Sequence, residues 1–114
     1  IIDRQGYGGV EFILGYGTIT ATNATLTATV LEGDVTGTMT SVADADLLGT
    51  EVLASIVAGT PRTSAVNKNV TKRIGYKGTK RYVTVKVVNT VTATTPISVS
   101  AVLFSPSLVP VANP

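Results

Sequence analysis

The chain contains no cysteine, no histidine and no tryptophan. Without cysteine there is no disulfide framework, no thiolate nucleophile and no thiolate metal ligand. Without histidine, the commonest general base and the commonest metal ligand are missing, and a Ser/His/Asp triad cannot be built. Charge is also missing from whole regions. No acidic residue follows Glu51, and no charged residue of either sign follows Lys86. The uncharged C-terminal stretch is still no membrane span. Pro96, Pro106, Pro110 and Pro114 interrupt it, and no apolar run approaches the ~18 residues that spanning requires. No signal-peptide pattern is visible, and a chain opening on Ile1 rather than Met is expected to have had a few residues before it.

What the chain has in excess is β-branched residues. Nineteen Thr and seventeen Val occur among 114 residues. Both are stiff at χ1 and suit a pleated surface, so the composition argues for sheets. The length suits one domain, residues 1–114, with a modest stability margin. Charge is segregated along the chain. Seven acids against Arg4 give −6 over residues 1–51, and eight bases from Arg62 to Lys86 give +8 over the remainder. Either the two halves neutralise each other in the fold, or the basic segment faces a partner.

Hydrophobic periodicity places the elements. Asp3 to Gly9 is glycine-rich and reads as a loop, and Val10 to Leu14 as a buried strand. Thr18 to Glu32 alternates, with Leu26, Ala28 and Val30 facing the core, and Glu32-Gly33-Asp34 is a turn signal. Thr36 to Val42 is a weaker strand. Ala43 to Gly49 has enough helix character for a single turn leading into Glu51 to Val57. Residues 58–69 read as a loop. Val70 to Tyr76 is a strand, followed by a turn in which Gly78 is expected to take positive φ. Tyr82 to Asn89 puts Val83, Val85 and Val87 on one face. Ile97 to Phe104 sets Ile97, Val99, Ala101 and Leu103 against Ser98, Ser100, Val102 and Phe104. The Pro-rich tail from Ser105 is not expected to pair. Seven or eight short strands separated by turns predict an all-β antiparallel sandwich or jelly roll.

Few constellations carry chemistry. Asp44, Asp46 and Glu51 are the only acidic cluster. They match no calcium-loop spacing and read as a solvated loop. The two Gly-Tyr segments match no phosphate-binding fingerprint, so their glycines read as structural. No base, nucleophile or metal set can be assembled, so the chain is read as neither an enzyme nor a cofactor binder. The sharpest feature is basic: Lys68, Lys72, Arg73, Lys77, Lys80, Arg81 and Lys86, with Tyr76 and Tyr82 interleaved. Such a face serves solubility, docks an acidic protein, or holds single-stranded nucleic acid through phosphates and stacking. Two tyrosines are a thin stacking platform, so a protein partner is expected ahead of nucleic acid. The apolar tail around Phe104, Leu108, Val109 and Val111 is a second candidate interface.

Several blocks together resemble a known family. They are Asp3-Arg4-Gln5-Gly6-Tyr7, Val10-Glu11-Phe12, Glu32-Gly33-Asp34, Ala45 to Gly49, Arg73 to Val83, and Pro106 to Pro110. The pattern spans nearly the whole chain, and the Ile74-Gly75-Tyr76 to Arg81-Tyr82 block is its most distinctive part. It resembles the jelly-roll capsid decoration, or cement, proteins of tailed bacteriophages. The resemblance implies a homo-oligomer, a dimer first of all, bound outside an icosahedral head and bridging major capsid subunits of the virion. It carries no catalytic residues over. Two other classes fit the residues: another virion part such as a tail or head-fibre component, and an adhesion or carbohydrate-binding sandwich. The absence of Trp and the presence of only six aromatics weigh against the last.

Overall fold

The structure is a computed structural model, which describes residues 1–19, 24–56, 69–89 and 95–106. Eight strands run β1 (Ile2–Asp3), β2 (Tyr7–Tyr16), β3 (Leu26–Val35), β4 (Thr38–Ser41), β5 (Leu47–Leu48), β6 (Val70–Tyr76), β7 (Tyr82–Asn89) and β8 (Ile97–Pro106). A 3₁₀ turn at Asp44–Asp46 precedes β5, and one helical turn, α1 (Glu51–Ala54), follows it. The strands form two antiparallel four-stranded sheets, ordered β1-β7-β3-β4 and β5-β6-β2-β8. The protein is therefore an all-β sandwich, as its Thr/Val load and strand spacing predict.

The alternation seen in the sequence becomes the core. Val10, Phe12, Leu14 and Tyr16 of β2 point inward and are buried, as are Leu26, Ala28 and Val30 of β3. Ile74 and Tyr76 of β6 and Val83 of β7 complete the centre of one continuous cluster. Each such aliphatic side chain contributes about 1.5–3 kcal/mol when fully buried. A one-residue slip would turn the whole set to solvent, so this pattern fixes the register.

Four local expectations are corrected. Tyr7, Gly8 and Gly9 lie inside β2, not in a loop. The turn signal at Glu32-Gly33-Asp34 lies within β3, which stays paired with β7 through Gly33↔Tyr82. An irregularity in register against β4 absorbs the glycine, and the chain reverses at Thr36–Gly37 instead. Gly78 is not among the positive-φ glycines, which are Gly6 and Gly49 among the described residues. Gly78 is needed for space, because a Cβ there would stand 2.5 Å from the Tyr76 hydroxyl oxygen. Ser105 and Pro106 belong to β8, with Pro106 opposite Tyr7.

The expected strand Thr36–Val42 shortens to β4, and the expected Glu51–Val57 segment is α1 plus an isolated bridge between Ile56 and Leu26. Thr50 caps α1, its hydroxyl accepting the Leu53 N–H at 3.2 Å. The predicted loop over 58–69, apart from Asn69, lies outside the described residues, as do residues 90–94 of the β7–β8 connection.

Candidate functional site

The richest polar arrangement sits at the end of the sandwich where the β6–β7 turn meets the N-terminal segment. Arg81 grips Asp3 with two parallel bonds, Nε to Oδ1 at 3.0 Å and Nη2 to Oδ2 at 2.8 Å. Its guanidinium also lies 5.0 Å from the Tyr82 ring centre. Lys80 donates to Asp34 Oδ2 at 2.8 Å, and the Arg81 N–H reaches Asp34 Oδ1 at 3.3 Å. Arg4 spans the gap: its guanidinium stands 5.3 Å from the Tyr76 ring centre and donates to the carbonyls of Lys80 and of Tyr7. Beneath it, the Tyr76 hydroxyl donates to Glu32 and accepts the Lys80 N–H at 3.0 Å.

The electrostatics follow from these contacts. The Arg81 hydrogen bond, helped by the Gln5 N–H, holds the Asp3 carboxyl below the usual range. Lys80, helped by the Arg81 N–H, does the same for Asp34. Lys80 and Arg81 are raised in turn, chiefly by their bonds to Asp34 and Asp3. Burial, then the bond to Glu32, pushes the Tyr76 hydroxyl up to about 12. These shifts hold Asp3 and Asp34 charged, Lys80 and Arg81 charged, and Tyr76 neutral at neutral pH. The arrangement clamps the fold rather than priming a proton transfer.

The basic segment does not form one face. Tyr76 is 0 % exposed, so it cannot offer its ring to a partner. Interleaving with basic residues along the chain puts Tyr76 near them but does not show what covers its ring. Lys80 and Arg81 pair as above. Arg73 stands on the outer face of β6, 3.8 Å from Glu11 of β2. Lys86 lies on β7, in the opposite sheet. Lys72 falls at the inward register of β6, opposite Leu14. Among the described residues, Lys72, Lys77 and Lys86 have no acidic side chain within 4.0 Å. Phe104 is half-buried, with its ring over Gly9 where a Cβ would collide. Lys68, Leu108 and Val109 lie outside the described residues.

Glu51 and Ser55 matter in a way the sequence did not signal. The β7-distal edge of β3 is reached by β4 only from Leu31 onward. Before that, the segment around α1 takes over. Leu26 and Ile56 exchange backbone bonds, both at 2.9 Å. The Ala28 N–H donates to Ser55 Oγ at 2.9 Å, and the Val30 N–H to Glu51 Oε1 at 2.7 Å. Glu51 is thus turned into the sheet, away from any shared site with Asp44 and Asp46. Among the described residues no group of three or more potential ligands could hold a metal ion. No described helix is long and apolar enough to cross a membrane.

The strand edges differ in how they are guarded. β1, β4 and β5 are two to four residues long. The stretch of β7 beyond β1 carries Lys86, and the stretch of β6 beyond β5 carries Lys72 and Arg73. Short edges and edge charges are the usual devices against unwanted strand pairing. β8 has ten residues and no charge.

Apart from the half-buried Leu103 and Phe104, β8 is also exposed on both faces. Its register places Ile97, Val99, Ala101 and Leu103 on the same side as the buried Tyr16, Leu14, Phe12 and Val10. Yet Ile97 remains 41 % exposed and Val99 47 %, and Ile97 lines an open cavity with Leu26 of β3 and Val87 of β7 rather than packing tightly against them. On the outer face, Val102 is 51 % exposed and Ile13 of β2 39 %.

Fold and site together define a β-sandwich in which Asp3, Asp34, Lys80 and Arg81 pair with one another and in which β8 leaves aliphatic side chains exposed. Comparison with known protein families, with curated proteins and with solved structures found no match for this chain.

Proposed function

We propose that the chain is a structural docking module, and specifically a decoration protein that binds the outside of a phage head and ties major capsid subunits together. The observation that carries this reading is the uncharged β8 with its aliphatic neighbours, Val102 and Ile13, on the outer face of its sheet. Docking of this kind needs area and shape rather than perturbed pKa values. The sequence resemblance supplies the partner. Two of its blocks, around Asp3-Arg4 and Lys80-Arg81, meet in the terminal clamp and support a rigid module.

The ion pairs favour one kind of contact. Arg73, Lys80 and Arg81 are engaged within the chain, so the docking is read as apolar rather than ionic. The test is binding of the tagged protein to purified heads. Retention in about 1 M salt, where charge interactions reach only ~3 Å, with release by Ile13→Lys or Val102→Lys, is the expected result. Release by salt alone would overturn the apolar mode. Failure to bind heads at all would overturn the capsid assignment.

A further inference from the structure

We propose that β8 is a self-association edge, pairing antiparallel with β8 of a second copy so that the β5-β6-β2-β8 sheet continues across a two-fold axis. The proposal does not depend on the capsid assignment.

The direction of the backbone groups carries it. Gly17 N–H donates to the Pro96 carbonyl at 2.8 Å, one step beyond the Tyr16↔Ile97 pair. In an antiparallel ladder, pairs that exchange hydrogen bonds alternate with pairs that do not. Ser98, Ser100, Val102 and Phe104 therefore direct their N–H and C=O groups at β2. Ile97, Val99, Ala101 and Leu103 direct theirs outward. Among the described residues, nothing accepts or donates to those outward groups.

Proline, the usual guard of an edge, is misplaced for guarding here. Pro96 lacks its N–H on the β2 side. Pro106 lies beyond Ser105, whose φ of 54° ends the regular edge. The outward positions from Ile97 to Leu103 keep every donor and acceptor.

A second copy is the occupant the edge fits. A two-fold axis through Ser100 sets Ile97 opposite the partner's Leu103 and Val99 opposite the partner's Ala101. All four are outward-bonding and all four lie on the inner face, so the ladder and the apolar strip are both self-complementary. No charge occurs along β8, so no like charges meet at the seam. The contrast with β3 is direct: that edge is closed by Ile56, Ser55 and Glu51, whereas no described residue bonds to this one. The regular edge is about 25 Å long and the sheet ~10 Å thick, well below the ~800 Å² per partner of a standard interface. The dimer is therefore weak and concentration-dependent.

Sedimentation equilibrium of the full chain, from low to several hundred micromolar, tests it together with Ala101→Pro. Proline at 101 removes an outward N–H and leaves the bonds to β2 in place. The expected result is a wild-type mass rising from one chain to two, with dimerisation at least roughly tenfold weaker in the variant and an unchanged far-UV spectrum. Ser100→Pro, which removes a bond to β2, should instead lower thermal stability. A wild-type chain that stays monomeric throughout overturns the proposal. So does a dimer that survives both Ala101→Pro and Val99→Lys, since its contact must lie elsewhere.

Discussion

Tyr76 on β6 donates its hydroxyl hydrogen to the carboxylate of Glu32 on β3, so one bond joins the two sheets where the clamp closes over them. The same hydroxyl accepts from Lys80, and Arg4 covers the ring. Tyr76→Phe keeps the packing but leaves the Glu32 carboxylate and the Lys80 N–H without that partner. The expected loss is about 1–3 kcal/mol in urea unfolding. A change below about 0.5 kcal/mol would show that water replaces the hydroxyl at no cost.

The alkaline side follows from the same group. Tyr76 ionises at about 12 in the fold, and burial raises Tyr16 as well. Both ionise near 10 when unfolded. Below pH 10 each is neutral in both states and its contribution is fully present. As pH rises from about 10 to 12, the unfolded chain releases protons that the native chain retains, and stability falls. Absorbance at the tyrosinate band should show late-ionising tyrosines whose appearance coincides with unfolding.

The acid side has the opposite sign. Asp3 and Asp34 are held low in the fold by Arg81 and Lys80. Their contribution is present above the unfolded value, about 4, and is lost as pH falls through the lower folded values. Urea midpoints measured downward from pH 5 should drop. Both Asp3→Asn and Asp34→Asn should flatten that slope, and so should high salt, because both pairs are exposed.

Ser55 links α1 to the sheet, accepting from Ala28 N–H and donating to the Glu51 carbonyl at 2.6 Å. Ser55→Ala leaves a buried N–H without a partner, at a cost of about 1–3 kcal/mol. Hydrogen exchange at Ala28 should accelerate more than at Phe12, whose strand lies in the other sheet. Equal acceleration at both would mean that the loss is global.

The unpaired lysines are expected to guard edges rather than bind a ligand. Lys86→Val and Lys72→Val should leave folding stability within about 0.5 kcal/mol for the exposed Lys86, yet raise light scattering at high concentration. Unchanged solubility in both variants would remove the gatekeeping role.

Much of the fold was legible because strand alternation is local. Val70–Tyr76 and Tyr82–Asn89 stand where their patterns place them, and Leu26, Ala28 and Val30 face the core as read. The candidate site was far less legible. The sequence leaves open whether Lys80 and Arg81 are paired or free, because their partners Asp34 and Asp3 lie 46 and 78 residues away. Tyr76 gives no local sign of its burial, because Arg4, which covers its ring, and Glu32, which takes its hydroxyl, are distant in sequence.

By itself the sequence determined the fold class, the inward set of each central strand and the absence of histidine and cysteine chemistry. Each follows from residue type or from a period of two. The tertiary structure alone decided which charges neutralise one another and which strand edge has no bonding partner among the described residues. Ile97 and Val99 alternate as cleanly as Leu26 and Ala28, but only the latter are buried. Period sets the direction of a side chain. Burial depends on what the rest of the chain brings to that side.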